Sequence, residues 1–159
     1  MIDLDETDTA ILNQLQTSGR LSNTRLAEQV HLSESACLRR VRALEDAGVI
    51  EGYHAAVNAR NLGLHATVFV HISLVHQDQA DLAAFEEAVR AVPEVMECYL
   101  MTGEYDYLLR LVLADNSDYE RVHREHLTRL PAVNRVHSSF TLRMAHQSNV
   151  LPLRPPAET

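Results

Sequence analysis

The side chains with the most specific chemistry lie in the first third of the chain, where three arginines follow two serines. Arg39, Arg40 and Arg42 carry planar guanidinium groups, which donate paired hydrogen bonds to phosphate oxygens or to guanine edges. Small neighbouring side chains allow such a segment to approach a nucleic acid closely. The pattern predicts nucleic-acid contacts from six residues: Ser33, Ser35, Ala36, Arg39, Arg40 and Arg42.

Three short helices are predicted in the first fifty residues, and they would position the arginines. Apolar residues recur at helical spacing, and each segment starts beside a residue that can cap a helix. The predicted helices are Asp5–Gln16, a short second helix that Ser22 or Asn23 caps and that ends near His31, and a third that runs from the capping signal Ser33-Glu34-Ser35 to Ala47 before Gly48.

The third helix is expected to have two unlike faces. Helical spacing gathers four apolar side chains on the inner face: Cys37, Leu38, Val41 and Leu44. The opposite face is small and polar near its start and then carries Arg39. On a lone helix such a face is more often only a solvated surface. The preceding helix and tight turn favour a helix that reads a nucleic acid instead.

The rest of the chain has the pattern of an α+β domain with the order β-α-β-β-α-β, which is the ferredoxin-like arrangement. Its halves resemble each other, since Val92-Pro93-Glu94-Val95 closes the first helix much as Leu130-Pro131-Ala132-Val133 closes the second. The predicted elements are strand Ala66–Val75, helix Asp81–Val92, strand Val95–Met101, a turn at Gly103–Asp106, strand Tyr107–Leu113, helix Ser117–Leu130 and strand Val133–Met144.

Composition limits the possible functions. All 14 basic residues are arginine, and 22 acidic residues bring the formal net charge to -8. Nucleic-acid binding needs only a local basic face, so this charge does not exclude it. Apolar runs are too short to span a bilayer, and the acidic start of the chain lacks the features of a signal peptide. We expect no membrane association and a cytoplasmic location.

Catalytic and metal-binding patterns are absent from the sequence. Cys37 and Cys98 belong to no C-x-x-C pair, and among the nine histidines His123 and His126 alone have a helical i, i+3 spacing. No G-x-S-x-G, Walker A or H-E-x-x-H motif occurs. We therefore expect no catalytic residues, no metal site and no cofactor.

Motifs spread over the whole chain resemble the Lrp/AsnC family of feast/famine transcriptional regulators. The resemblance covers about residues 3–150, and the order of the motifs is more specific than any one of them. The motifs are Asp5-x-x-Asp8-x-x-Ile11-Leu12, Gly19-Arg20-Leu21-Ser22-Asn23, Leu26-Ala27, Leu32-Ser33, Cys37-Leu38-x-Arg40-Val41-x-x-Leu44-Glu45-x-x-Gly48-Val49-Ile50, Glu97-Cys98-x-x-x-Thr102-Gly103-Glu104-Tyr105-Asp106-Tyr107, Leu130-Pro131-x-Val133 and Gln147-Ser148-Asn149.

The resemblance implies a homodimer that places two reading helices in successive major grooves of an operator and assembles into octamers or other higher forms. Two motif residues, Arg40 and Glu45, have an alternative role as a structural ion pair. Family members usually have glycine where this chain has His31, so the turn between the second and third helices is expected to need a positive φ, which histidine tolerates better than a branched residue.

The resemblance also implies an effector site for an amino acid where dimers meet. Taken alone, Gly103–Asp106 reads as a hairpin turn. In the family this loop borders the effector pocket, and Asp106 would then pair with an α-ammonium group. The implied effector residues are Met101, Gly103, Glu104, Tyr105, Asp106, Ser139, Phe140 and Thr141.

The predicted organisation has four parts. Residues 1–50 form a winged-helix-like helix-turn-helix DNA-binding domain, 51–65 a β-rich hinge or linker that pairs with the N-terminal region or a partner subunit, 66–150 the ferredoxin-like effector-sensing and oligomerisation domain, and 151–159 a flexible tail. We expect a DNA-binding regulator that responds to an amino acid or related metabolite. The alternative is a metabolite-binding protein or enzyme that uses the ferredoxin-like domain, with the helices serving assembly.

Overall fold

The structure is a computed structural model that describes residues 4–153. The chain divides into two compact units. The first holds the residues up to Ala56 together with those from His146 onward, and the second runs from Val57 to Ala145. The first unit therefore draws on both ends of the described chain.

Three helices form the first unit, as the sequence predicted: α1 (Glu6–Thr17), α2 (Asn23–Gln29) and α3 (Glu34–Asp46). Each starts behind a capping side chain. Asp5, Ser22 and Ser33 accept hydrogen bonds from backbone N–H groups in the first turns of the three helices. Such a cap stabilises a helix by about 1 kcal/mol.

The core of the first unit is small and apolar. Six side chains from the three helices are buried in it: Ile11, Leu12, Leu26, Ala27, Cys37 and Leu44. Leu38, which was expected on the inner face, is instead 39% exposed. It lies between the buried and the outer faces of α3, so the predicted apolar face was one residue too wide.

The turn between α2 and α3 has the conformation expected from the sequence. His31 adopts φ 56°, in the left-handed region, and the N–H of Leu32 then donates to the carbonyl of Ala27 at 2.9 Å. A left-handed residue lets the chain reverse direction at the end of a helix. His31 therefore adopts the left-handed conformation that glycine usually adopts at the end of a helix.

The second unit is a four-stranded antiparallel sheet with two α-helices, which confirms the predicted α+β class. The strand order is β2-β3-β1-β4. Short 3-10 helices at Ala59–Leu62 and Leu127–Arg129 precede β1 and follow α5. The elements are β1 (Ala66–Leu74), α4 (Gln79–Arg90), β2 (Val95–Leu100), β3 (Tyr107–Leu113), α5 (Asn116–Glu125) and β4 (Val133–Phe140).

One face of this sheet is buried and the other is not. Alternate residues of β1 and β3 are buried with Phe85 of α4 and Val122 of α5, whereas the residues between them are half-buried. This alternation is the expected signature of a sheet with a single packed face. The half-buried face carries apolar side chains, including Phe69, Leu108 and Val112.

Two predicted elements end at least four residues earlier in the structure than the sequence predicted. The last strand was expected to reach Met144 but stops at Phe140, which pairs with Val68 of β1. One further hydrogen bond follows, from the Thr141 N–H to the Thr67 carbonyl at 3.0 Å. The second helix was expected to reach Leu130 but α5 ends at Glu125. Leu130 is extended, with ψ 141°, as a residue before proline prefers.

The β-rich segment after the third helix forms no strand in this chain. Residues 51–58 have no regular structure, and no strand of the described residues pairs with them. An isolated strand has unpaired backbone groups, so the segment would need a partner to become one. Its pairing with another subunit stays a prediction.

The end of the described chain packs on the first unit. The Gln16 side chain accepts from the Leu151 N–H at 2.6 Å and donates to the Leu151 carbonyl at 3.3 Å. Leu153 packs against the apolar core of the first unit. Residues 151–153 thus differ from the expected flexible tail, and the rest of that predicted tail lies outside the described residues.

Candidate nucleic-acid interface and ligand site

Helix α3 is fixed at its start by polar contacts and along its inner face by the core. The Ser33 hydroxyl accepts from the Ala36 N–H at 3.3 Å and lies 3.3 Å from the Ser35 hydroxyl. Asn23, the first residue of α2, donates from its side chain to the Glu34 carbonyl at 2.9 Å. The two helices of the motif are therefore joined where the second begins.

The outer face of α3 presents free hydrogen-bond donors. Ser35, Arg39 and Arg42 are exposed and follow one another at helical spacing. Neither arginine forms an ion pair with any carboxylate in residues 4–153. The small side chains of Ala36 and Ala43 beside them leave room for a nucleic acid to approach the helix. This face can donate to phosphates or base edges without first breaking an intramolecular pair.

The exposure of Leu38 adds an apolar group to this face. Leu38 lines a shallow groove with Ser35, Arg39 and Arg42. Apolar side chains recognise the methyl group of thymine in the major groove. Helical spacing alone placed Leu38 on the inner face, so the sequence did not predict it as a contact.

Arg40 has a different role from its neighbours. Its guanidinium lies 2.8 Å from a carboxylate oxygen of Asp5 and 2.8 Å from one of Asp8, and its side chain is 33% exposed. The hydrogen bonds that Arg40 donates to Asp8 and Asp5 raise the pKa of Arg40. Arg40 therefore forms a structural ion pair, and its partners are Asp5 and Asp8 rather than Glu45. It is not among the proposed nucleic-acid contacts.

Asp5 and Glu45 complete this framework. The Asp8 backbone N–H and then the Arg40 guanidinium hold the pKa of Asp5 below its ordinary value. Glu45 accepts a hydrogen bond from the Tyr53 hydroxyl at 2.9 Å. Burial and this carboxylate raise the pKa of Tyr53 to about 12, so the phenol stays protonated and continues to donate. Through these contacts Asp5 connects α3 to the start of α1, and Glu45 connects α3 to Tyr53.

The predicted effector residues do not meet in one place within a single chain. The Asp106 N–H donates to the Ile72 carbonyl, near the end of β1. Ser139 pairs with Phe69, and Thr141 donates to the Thr67 carbonyl, near the start of β1. Five residues of a strand span about 16 Å. Tyr105 spans part of this distance, because its ring lies 6.2 Å from that of His137, which is two residues before Ser139 on the same face of the sheet.

The two predicted residues at the end of β4 also point in opposite directions. Ser139 lies on the half-buried face of the sheet, whereas Phe140 lies on the helix side, edge-on to Tyr119 of α5 at a ring distance of 5.0 Å. Side chains of adjacent strand residues alternate between the two faces. At most one of the two can therefore face a ligand on a given side.

The carboxylate of Asp106 already has two hydrogen-bond partners. One oxygen accepts from the Leu74 N–H at 2.7 Å and the other from the Gln77 amide at 2.6 Å. Its own backbone carbonyl accepts from the Met101 N–H at 2.8 Å. Asp106 fixes the loop between β2 and β3 to the end of β1, and each of its oxygens keeps a second lone pair that can accept from a further donor.

The neighbouring Tyr105 joins an aromatic group on the half-buried face of the sheet. Its ring centre lies 4.8 Å from that of His71 and 6.2 Å from that of His137. The Nδ1 atom of His71 is buried without a hydrogen-bond partner among the described residues. Met101, Gly103 and Glu104 are exposed in the same loop. The loop thus has a fixed base at Asp106 and an accessible tip.

A cavity of about 240 Å³ lies on the helix side of β2 and β3, and the sequence analysis did not anticipate it. The available signal was the opposite charge of Glu86 and Arg90, which are four residues apart on α4. The lining residues are Glu86, Val89, Arg90, Cys98, Leu100 and Tyr107. Within residues 4–153 no cluster of ligands suitable for a metal ion is found.

An exposed arginine face on a helix-turn-helix unit, together with a separate α+β unit, defines a DNA-binding protein with its own ligand-binding domain. Family models agree with this division. A winged helix-turn-helix DNA-binding model matches residues 4–51, and an Lrp/AsnC ligand-binding domain model matches residues 67–151. The chain belongs to the Lrp/AsnC family and is a transcriptional regulator of that family.

Curated relatives and solved structures are similar over nearly the whole chain. The leucine-responsive regulatory proteins of Escherichia coli K12 and Klebsiella pneumoniae are each 41% identical over 152 residues, covering 96% of this chain and 93% of the relative. A transcriptional regulator of Neisseria meningitidis in complex with L-Met is 37% identical, with a TM-score of 0.89 and coverage of 94% of this chain and 97% of that chain.

A second solved structure has the same overall likeness. An AsnC family regulator from Agrobacterium tumefaciens is 33% identical, with a TM-score of 0.89 and the same coverage of 94% and 97%. These relatives are transcriptional regulators. None of the helices in residues 4–153 combines the length and hydropathy that a bilayer crossing requires.

Proposed function

We propose that this regulator binds operator DNA through Ser33, Ser35, Ala36, Arg39 and Arg42 on α3, and that an amino acid controls this binding by changing the assembly of the protein. The observation that carries the proposal is the pair of arginines on α3. Arg39 and Arg42 are exposed and free of carboxylates in the described chain, whereas Arg40 between them is held by Asp5 and Asp8.

Two observations favour a regulator that acts as at least two copies of the chain. Dimeric helix-turn-helix proteins place their reading helices one helical turn apart, about 34 Å, in successive major grooves. The half-buried face of the sheet, with Phe69, Leu108 and Val112, is an apolar surface of the kind that a second copy covers. Assembly of dimers into an octamer or another higher form is part of the same proposal.

An amino acid is the proposed effector because of the family and the site. The matched family model is a ligand-binding domain, and a similar solved regulator holds L-Met. The exposed tip of the loop, residues 101–104, and the side chains Ser139 and Thr141 lie at different points along β1, and a second subunit would complete a site that uses both. A ligand that binds between subunits favours one assembly over another and thereby shifts DNA binding by linkage.

The DNA contacts are tested with Arg39→Ala and Arg42→Ala. Each lost base contact should weaken binding to DNA from upstream of the protein's own gene by about 1–3 kcal/mol, and each lost phosphate contact should lower the salt dependence by about one unit of slope. Fluorescence anisotropy over a salt series measures both quantities.

Arg129→Ala is the matched control, because it removes an exposed arginine of the second unit. We expect it to bind DNA like the unmodified protein. If the Arg39→Ala, Arg42→Ala double variant bound as tightly as this control, with the same salt dependence, the proposed interface would be wrong.

A further inference from the structure

Leu38 lies on the outer face of α3 although its side chain is apolar. Its neighbours one turn away in each direction, Ser35 and Arg42, are exposed, and Leu38 is 39% exposed beside them. The buried residues Cys37 and Leu44 lie about 100–120° away around the helix axis. The apolar core of the first unit does not use Leu38, so its role has to be sought on the surface.

Hydrogen-bond donors surround Leu38 in the shallow groove of α3. The groove is formed by Leu38 together with Ser35, Arg39, Arg42, Ala43 and Asp46. Within residues 4–153 neither arginine of the groove forms an ion pair. A single exposed leucine is common on protein surfaces. A leucine between two free guanidinium groups and a hydroxyl is different, because the edge of a base pair offers both acceptors and an apolar group.

The apolar group of a base pair in the major groove is the C5-methyl of thymine. Thymine presents this methyl beside its O4 acceptor, and guanine presents two acceptors to which arginine donates. Leu38 and Arg42 are four residues apart on the helix, so their Cβ atoms are about 5–6 Å apart. Successive base pairs are about 3.4 Å apart. A thymine one or two base pairs from the Arg42 contact would therefore face Leu38.

Asp46 gives the groove a direction. It is the last residue of α3 and is exposed at the far end of the groove from Ser35. Its carboxylate repels phosphate groups, whereas Ser35 and Arg39 donate hydrogen bonds near the start of the helix. In helix-turn-helix proteins the N-terminal residues of the reading helix contact the base edges. Leu38 lies in the second turn of α3, which is within the part that would reach the bases.

We propose that Leu38 determines base specificity by packing against the C5-methyl group of an operator thymine, one or two base pairs from the base or phosphate that Arg42 binds. The inference rests on the proposed DNA contacts of α3 and adds to them a preference that phosphate contacts do not give. The cytosine derivative 5-methylcytosine carries a methyl group at the same ring position. Leu38 would therefore favour 5-methylcytosine over cytosine where it faces that base.

The first test removes the methyl groups from the DNA. DNA from upstream of the protein's own gene is synthesised with deoxyuridine in place of thymidine, which deletes every C5-methyl group and keeps the pairing of the bases. Fluorescence anisotropy measures the affinity of the full-length protein for both forms. Burial of one methyl group corresponds to about a fourfold change in affinity. The unmodified protein should bind the uracil form at least about fourfold more weakly, and equal binding would overturn the proposal.

Leu38→Ala separates the leucine contact from other effects of the missing methyl groups, such as a change in DNA shape. The ratio of the affinities for the two forms should be clearly smaller for this variant, because alanine is too short to reach the methyl group. Leu38→Met keeps a long apolar side chain and should keep most of the ratio. Leu62→Ala shortens an exposed leucine of the second unit and should keep all of it. Circular dichroism checks that the variants fold, and equal ratios in all four proteins would overturn the proposal.

Single substitutions in the DNA then locate the contact. Each thymine is replaced in turn by deoxyuridine, and the position with the largest loss is also synthesised with cytosine and with 5-methylcytosine. The unmodified protein should bind the methylated form about fourfold more tightly than the cytosine form. Leu38→Ala should not distinguish the two forms. Equal binding of both forms by the unmodified protein would contradict a contact with the methyl group.

The outcomes also separate this inference from the proposed function. If the Arg39→Ala, Arg42→Ala double variant loses affinity but Leu38→Ala keeps the full effect of the methyl groups, α3 binds DNA and Leu38 does not read the thymine. If the double variant binds DNA like Arg129→Ala, the proposed interface and this inference both fail.

Discussion

At the residue scale, three arginines that look alike in the sequence have two different roles. Arg39 and Arg42 are exposed on the outer face of α3, while Arg40 is held by Asp5 and Asp8 of the first helix. Spacing within α3 predicted all three as contacts because it carries no information about side chains 32 or 35 positions earlier. The positive φ of His31, by contrast, was predictable from its position in the motif.

The carboxylate of Asp5 gives a prediction about pH. Because its pKa in the folded chain is lowered, its stabilising contribution is complete above the ordinary aspartate value of 3.8 and disappears as the pH falls through the lower, folded value. Asn is also a good N-cap, so Asp5→Asn keeps the cap of α1 and removes the charge. Thermal melting should show the variant less stable at neutral pH, by at most about 1 kcal/mol.

The difference between the two proteins should narrow as the pH falls below the ordinary aspartate value. Asp46→Asn, an exposed acid with no ion pair in the described chain, serves as the control and should follow the unmodified protein throughout. A difference between Asp5→Asn and the unmodified chain that stayed constant down to acid pH would contradict the proposed role of the charge.

At the element scale, local signals predicted where helices begin better than where strands and helices end. Ser22 and Ser33 were recognisable caps, because a cap depends on neighbouring residues only. The end of β4 at Phe140 depends on its pairing with the distant strand β1, and the end of α5 depends on Pro131 and the packing of Leu127. The contacts of Leu151 and Leu153 were not predictable, since they link residues 135 positions apart.

Those contacts predict that the end of the described chain stabilises the helix-turn-helix unit. Gln16→Ala removes two hydrogen bonds and should cost about 1–2 kcal/mol of unfolding free energy. Chemical denaturation followed by circular dichroism measures this loss. Leu151→Ala is the matched control, because Gln16 binds its backbone and its side chain is exposed. Equal decreases in unfolding free energy for Gln16→Ala and Leu151→Ala would show that these hydrogen bonds do not stabilise the unit.

At the scale of the whole molecule, a net charge of -8 accompanies a basic reading surface only a few residues wide. Two such surfaces on the proposed dimer would bind far more tightly than one, since the second contact is intramolecular. The sequence resemblance predicted a DNA-binding first unit and a ligand-binding second unit. It could not give the contacts between subunits, because a single chain holds only half of each.

The half-buried face of the sheet gives a prediction about the interface between copies of the chain and its effect on DNA affinity. Phe69→Glu places a charge on this face and should convert the assembly to monomers in sedimentation velocity, with a loss of DNA affinity of at least tenfold. Leu62→Glu, at an exposed position outside the sheet, should change neither property. Unchanged sedimentation of Phe69→Glu would exclude this face as the interface between copies.

The most direct test of the account places a DNA-cleaving group on the outer face of α3. An iron chelate is attached at Ser35→Cys in a Cys98→Ser background, where the remaining Cys37 is buried, and bound operator DNA is cleaved and mapped. We predict cuts centred on two major-groove segments about 10 base pairs apart. Cleavage no stronger than that from the same chelate at Thr128→Cys, an exposed position of the second unit, would contradict the claim that α3 enters the DNA.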